Sequence, residues 1–150
     1  MPSPHLRFKL WAIMLAIAAA ALLLAQFKAW HNASPPVATV VGSTFNFGTM
    51  PQRAKGRHTF TIRNDGPTPL RLQLCSTTTH MPGVYELVNG KRSSSLSKRA
   101  VMVVPGSNAT ICMEWETRDF EGSFSKGSTF FTNDPTKPYL ALVVQGSVTK

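Results

Sequence analysis

From residue 38 onward, apolar and polar positions alternate in short runs. In "TFNFG", Phe45 and Phe47 share one side while Thr44 and Asn46 take the other. "HTFTIRN" sets Phe60 and Ile62 against Thr59, Thr61 and Arg63, and "LRLQL" sets Leu70, Leu72 and Leu74 against Arg71 and Gln73. "ATICMEWET" turns Ile111, Met113 and Trp115 inward and Cys112, Glu114 and Glu116 toward solvent; "YLALVVQGSV" groups Leu140, Leu142 and Val144. Period-two alternation marks half-buried strands, and each run closes on Gly, Pro, Asn or Asp. The pattern predicts about seven strands, near 38–47, 56–64, 69–76, 100–104, 109–117, 125–133 and 139–148. With no helical period beyond residue 31, the expected architecture is an all-β sandwich. "VYELVNGKRSSSLSKR" has two readings: Asn89-Gly90 closes a small hairpin, or the Ser-rich run is a loop.

The N-terminus has a different pattern. Leu10–Phe27 holds 18 residues without a charge, a helix of about 27 Å and close to the hydrocarbon thickness of a bilayer. His5, Arg7 and Lys9 precede it and only Lys28 follows closely, so the positive-inside rule exports the C-terminal part. Trp11 and Trp30 stand near its two ends, where indole favours the interface. A cleaved signal peptide competes with an anchor, but Phe27, Lys28 and Trp30 occupy the places where small residues belong. The division read from this is a cytoplasmic N-terminus at 1–9, a transmembrane signal-anchor at 10–30, a linker at 31–37 and the sandwich at 38–150. The expected location is the inner (cytoplasmic) membrane, single-pass, with the C-terminal domain in the periplasm or outside the cell. Sequons at Asn32 and Asn108 matter only in a glycosylating host.

Charge alters this picture little. The chain carries 16 basic and 7 acidic residues, a net +9. The basic residues are scattered, with no accompanying aromatic ladder, so nucleic acid is not an expected partner. "RAKGR" (Arg53 to Arg57) and "KRSSSLSKR" (Lys91 to Arg99) read as solvated loops and a protected sheet edge, or as docking surface for an acidic partner or an anionic polymer.

"FNFGTMPQ…HTFTIRNDGPTPLRL" followed by "VPGSNATICMEWETRDFEGSFSKGSTFFTNDPTKPYLALVVQGSV" resembles the Hydin-type (ASH) immunoglobulin-like domains, in particular their bacterial exported branch of unknown function. Phe47-Gly48, Asn64, Pro105-Gly106, "EGSFSK", "TNDP" and Gln145-Gly146 carry the resemblance, which covers about Val40 to Val148. It implies an immunoglobulin-like sandwich and no chemistry. Relatives often carry Cys-Gly-Cys-Thr after the third strand. Here Cys75-Ser76-Thr77 stands there, and the connection from His80 to Arg99 is longer.

Candidate sites are few. "RNDGPTPL" and "TNDPTKPYL" nearly repeat, and turn chemistry accounts for both: Asn and Asp bond to amides two residues on, Pro fixes φ, and Gly66 supplies a positive φ. In such a sandwich the two loops share the end where the chain arrives, so Asn64, Asp65, Asn133 and Asp134 are a candidate interaction patch. A Cys75–Cys112 disulfide is compatible with an exported domain, but both thiols are read as outward-facing on opposite sheets. Cys75, Cys112, His80 and Met81 are soft donors for a metal or redox role, at poor spacing. Met50, Met102 and Met113 are read as core filler. G-x-S-x-G and H-E-x-x-H are absent. The sequence therefore predicts a non-catalytic module, membrane-anchored and exported, that binds or scaffolds a protein partner without a cofactor. A metal or redox accessory domain is the alternative. A cell-wall polymer binder is a third and weaker reading: it needs an aromatic surface platform, and Trp115 and most Phe residues are read as inward.

Overall fold

The computed structural model describes residues 14–26, 34–78, 83–96 and 100–150. The chain divides into two units, residues 1–33 and 34–150. In the first, residues 14–26 form a helix exposed on every side. Among the described residues no helix is long and apolar enough to cross a membrane. Trp11, Lys28 and Trp30 lie outside the described residues.

The described residues of the second unit form ten strands: β1 (Ala38–Val40), β2 (Thr44–Pro51), β3 (Lys55–Asn64), β4 (Leu70–Thr77), β5 (Gly83–Val88), β6 (Lys91–Ser95), β7 (Val101–Val103), β8 (Asn108–Glu116), β9 (Gly122–Thr132) and β10 (Tyr139–Thr149). They form two five-stranded sheets, ordered β1-β3-β8-β5-β6 and β2-β10-β9-β4-β7. We call these the first and second sheets.

The count exceeds seven for two local reasons. The run expected at 38–47 is two strands, because the chain changes sheets at Val41-Gly42-Ser43. β1 pairs antiparallel with β3, whereas β2 pairs parallel with β10. Gly42 has φ +68°, a conformation open to glycine at little cost. The second reason is the β5–β6 hairpin. Asn89 (φ 51°) and Gly90 (φ 73°) form a two-residue turn between the paired Val88 and Lys91, as Asn-Gly sequences favour.

Alternation fixes the core. Phe60, Ile62, Leu70, Leu72, Ile111, Met113, Phe130 and Leu142 are fully buried between the sheets, each stabilising the fold by about 1.5–3 kcal/mol. A second, smaller cluster joins Met50, Trp115, Phe124 and Val148. Met102 is a correction to the core reading. Val101 and Val103 point inward, so period two turns the residue between them out to 57% exposure.

Candidate functional site

The four residues of the loop patch are brought to one end of the sandwich, beside the arriving segment Ser34–Ala38. We call this the proximal end. Asn64 is buried. Its Oδ1 accepts from the Gly66 amide at 3.0 Å and from Val37 at 3.4 Å. Its Nδ2 donates to the carbonyls of Thr68 at 2.7 Å and Val103 at 2.9 Å. Asp134, also buried, accepts from the Thr136 amide at 2.8 Å and hydroxyl at 2.7 Å, and from the Ala38 amide at 2.8 Å. Burial pushes its carboxyl pKa up, but hydrogen bonds from Ala38, Thr136 and Lys137 outweigh that and hold it below the ordinary 3.8.

Asn133 is exposed and ties the loop to β4, accepting from Arg71 N at 2.7 Å and donating to Pro69 O at 3.0 Å. Asp65 is exposed and pairs with Arg63 at 2.6 Å. Each of these four side chains thus has an internal partner. The repeat is a turn built twice, with its functional positions offset by one: Asn64 and Asp134 both cap the residue two places on and both grip Val37–Ala38. Gly66 serves a different purpose from the one expected. It lacks a positive φ, and a Cβ there would lie 2.5 Å from Val37 N and 2.6 Å from Pro35 O. Close approach of the linker backbone is what demands glycine.

Cys75 and Cys112 are free and sit on different sheets, Cys75 exposed on β4 and Cys112 buried on β8. The outward, solvent-facing reading of Cys112 is therefore corrected. It does face away from the inter-sheet core, but β8 is the central strand of the first sheet, where Tyr85 on β5 lies directly opposite and Arg57 donates to its sulfur at 3.1 Å. Tyr85 in turn donates to Glu114, and the guanidinium of Arg92 lies 4.2 Å from its ring centroid. Burial, with the bonds to Cys112 and Glu114, pushes the Tyr85 phenol up. His80 and Met81 lie outside the described residues. Among those described, no group of three or more His, Cys, Asp or Glu side chains is placed to hold a metal. His58 stacks on Phe45 at 3.7 Å, and burial lowers its pKa, as in a packed neutral ring.

The opposite, distal end holds the arrangement that sequence reading missed. There the β2–β3 turn and the β8–β9 loop are bound together. Arg53 N donates to Arg118 O at 2.7 Å, and the Arg53 side chain meets Asp119 at 3.0 Å. The buried Thr117 hydroxyl donates to Pro51 O at 2.9 Å and accepts from Ala54 N at 2.8 Å. Arg53 (φ 60°) and Arg118 (φ 46°) are held left-handed, a conformation costing a non-glycine residue about 1–2 kcal/mol. Two pockets flank the Trp115–Glu116 step. One of about 320 Å³ is bordered by Lys55, Arg57, Glu114 and Glu116, the other of about 250 Å³ by Arg118, Phe120 and Lys126. Trp115 is buried against Phe124 at 3.7 Å, while Phe120 remains 43% exposed at 6.2 Å. The period-two pattern identified Trp115 as inward, but "ETRDFEG" has no periodicity to reveal the loop. Only the left-handed arginines mark it, and sequence does not show φ.

Two stacked sheets with this strand order define an immunoglobulin-like sandwich. The comparisons agree. The ASH/PapD-like domain 7 of human CEP192 superposes with TM-score 0.52 at 13% identity, covering 75% of this chain and 85% of that one. A protein of unknown function from Porphyromonas gingivalis W83 superposes with TM-score 0.54 at 20% identity over 75% of this chain, which spans 46% of that protein. No family model matches the sequence, and no curated protein matches it.

Proposed function

We propose that this chain is a non-catalytic binding module that engages a protein partner through the distal end of its sandwich, while an N-terminal apolar segment anchors it to the membrane from the exported side. The observation carrying the binding role is the distal loop pair: two left-handed arginines, mutually bonded, beside two pockets and an exposed Phe120. Strain held by surrounding bonds is common at recognition sites, and aromatic and Arg side chains are the types enriched at protein interfaces. The proximal end is spent on internal bonds and on the arriving linker. That arrangement leaves the distal end free to meet a partner.

Anchoring rests on the uncharged run Leu10–Phe27 with Arg7 and Lys9 before it, and on the apolar side chains exposed around the helix at 14–26. Carbonate extraction of native membranes tests it. Retention in the pellet, with protease access to the sandwich only from the exported side, supports anchoring; release into the supernatant refutes it. The metal or redox alternative loses the pairing of Cys75 with Cys112, since the two stand on different sheets and one is buried.

A further inference from the structure

The two outer faces of the sandwich differ in chemistry. The first sheet shows Arg57, Arg63, Glu114 and Glu116 on its outer surface. On the second sheet, the outer faces of β2, β9 and β10 form a field without charge, bordered by Arg71 on β4. Its inward side chains are fixed by Phe130, Leu140, Leu142 and Val144 in the core, so alternate residues of β9 and β10 point out. At one end Gln73, Phe131 and Tyr139 lie in register across β4, β9 and β10. At the other end Ser125, Gln145 and Asn46 form one rung, and Ser123, Ser147 and Thr49 the next. The rungs between are Thr129 with Ala141, and Gly127 with Val143. Five successive rungs, roughly 27 Å long at about 3.4 Å per residue, carry no charged side chain in a chain with 16 basic and 7 acidic residues. Arg71, beside Gln73 on β4, is bonded to it at 2.9 Å.

Phe131 and Tyr139 are 44% and 61% exposed, with ring centroids 4.9 Å apart. A shallow groove of about 360 Å³ opens at the far end of the same face, lined by Asn46, Thr49, Ser123, Gln145 and Ser147. We propose that this face is a binding site for a neutral polysaccharide, with sugar rings stacked on the Phe131–Tyr139 pair and hydroxyls hydrogen-bonded along the Ser, Thr, Asn and Gln rungs. Charge decides the ligand class. A nucleic acid or anionic polymer requires a basic track, which the face lacks. A protein interface is depleted in Ser and built around a contiguous apolar centre, and this face offers two rings in a field of hydroxyls and amides. Those groups donate and accept together, as sugar hydroxyls do. The site is separate from the distal loops, and the protein-partner reading stands or falls without it.

The test uses the full chain in mild detergent, titrated by calorimetry against a soluble β-glucan, a mannan, a xylan and, as anionic control, polygalacturonate, at low and high salt. The expected result is binding to at least one neutral polymer, unchanged by salt. Phe131→Thr with Tyr139→Thr should weaken it by about tenfold or more, and Gln145→Ala in the groove should weaken it measurably. Thr61→Ala, on the outer face of the first sheet, should leave it unchanged, and all variants should melt near the parent. Binding to none of the neutral polymers, binding to polygalacturonate alone, or full binding by the double variant overturns the proposal. So does a dimer in light scattering that the same two substitutions dissolve, because the face would then join two copies.

Discussion

The carboxylate of Asp134 accepts a hydrogen bond from the amide of Ala38 at 2.8 Å, across 96 residues of sequence. It joins the β9–β10 loop to the first strand of the other sheet. Lys137 reinforces the junction by donating to the Ala38 carbonyl at 2.8 Å. The bond thus closes the proximal end of the sandwich. Removing the charge by Asp134→Asn should cost about 2 kcal/mol, in the range for bonds to an ionised acceptor. Chemical denaturation of the two proteins measures it.

The same carboxyl sets an acid limit. Its pKa is held below 3.8 in the folded state, so the unfolded chain binds the proton more readily. Its contribution is complete above the ordinary value and is lost as pH falls through the lower folded value. Melting temperature should therefore drop below about pH 4, and Asp134→Asn should flatten that part of the profile. An unchanged slope in the variant would assign the acid sensitivity to other groups.

Asn64 is the neutral counterpart at the end of β3. Asn64→Ala leaves the Thr68 and Val103 carbonyls and the Gly66 amide without the partners it now supplies. Unsatisfied buried groups cost about 1–3 kcal/mol. A loss of about 3 kcal/mol is expected, larger than for Asn133→Ala, whose bonds are exposed.

Two glycines separate close approach from backbone conformation. At Gly146 a Cβ would lie 2.7 Å from the Gly48 carbonyl oxygen, a backbone atom that cannot move aside. At Gly48 the space is open and φ is +69°. Gly146→Ala should be the more damaging, at several degrees in melting temperature, whereas Gly48→Ala should cost about 1 kcal/mol. Equal effects would contradict the packing described between β2 and β10.

The thiols should differ sharply. Cys75 is exposed and Cys112 fully buried beneath Tyr85 and Arg57. One thiol should react with a disulfide reagent in the native protein and two after denaturation, with no mass change on reduction. Two fast native thiols would mean that the Tyr85–Arg57 cover opens readily.

Much of the sandwich was legible because alternation is a local property. Period two alone turns Phe60, Ile62, Leu70, Leu72, Ile111 and Leu142 inward, and all six are buried in the core. The sheet change at Gly42 leaves a trace that the strand prediction passed over: Ala38 and Val40 share one parity, Val41, Phe45 and Phe47 the other, so the alternation shifts phase where the chain crosses between sheets. The burial of Cys112 leaves no such trace. Alternation tells which face a residue occupies, not whether a neighbouring strand's Tyr85 covers that face. Turn chemistry in the repeated phrase is a local signal, whereas its grip on Val37–Ala38 depends on contacts across 27 and 96 residues. The distal loops meet through the pairing of β3 with β8, and the Phe131–Tyr139 pair through the register of β9 on β10; no single strand encodes either.

The binding claim is tested most directly by photocrosslinking in native membranes. A photoreactive residue is placed at Phe120 on the distal end and, separately, at Thr136 on the proximal end. The account predicts a discrete protein adduct from position 120 that is lost when Arg53 and Arg118 are replaced by glycine and alanine, and no such adduct from position 136. An adduct from position 136 alone, or none from position 120, would contradict a partner site at the distal loops.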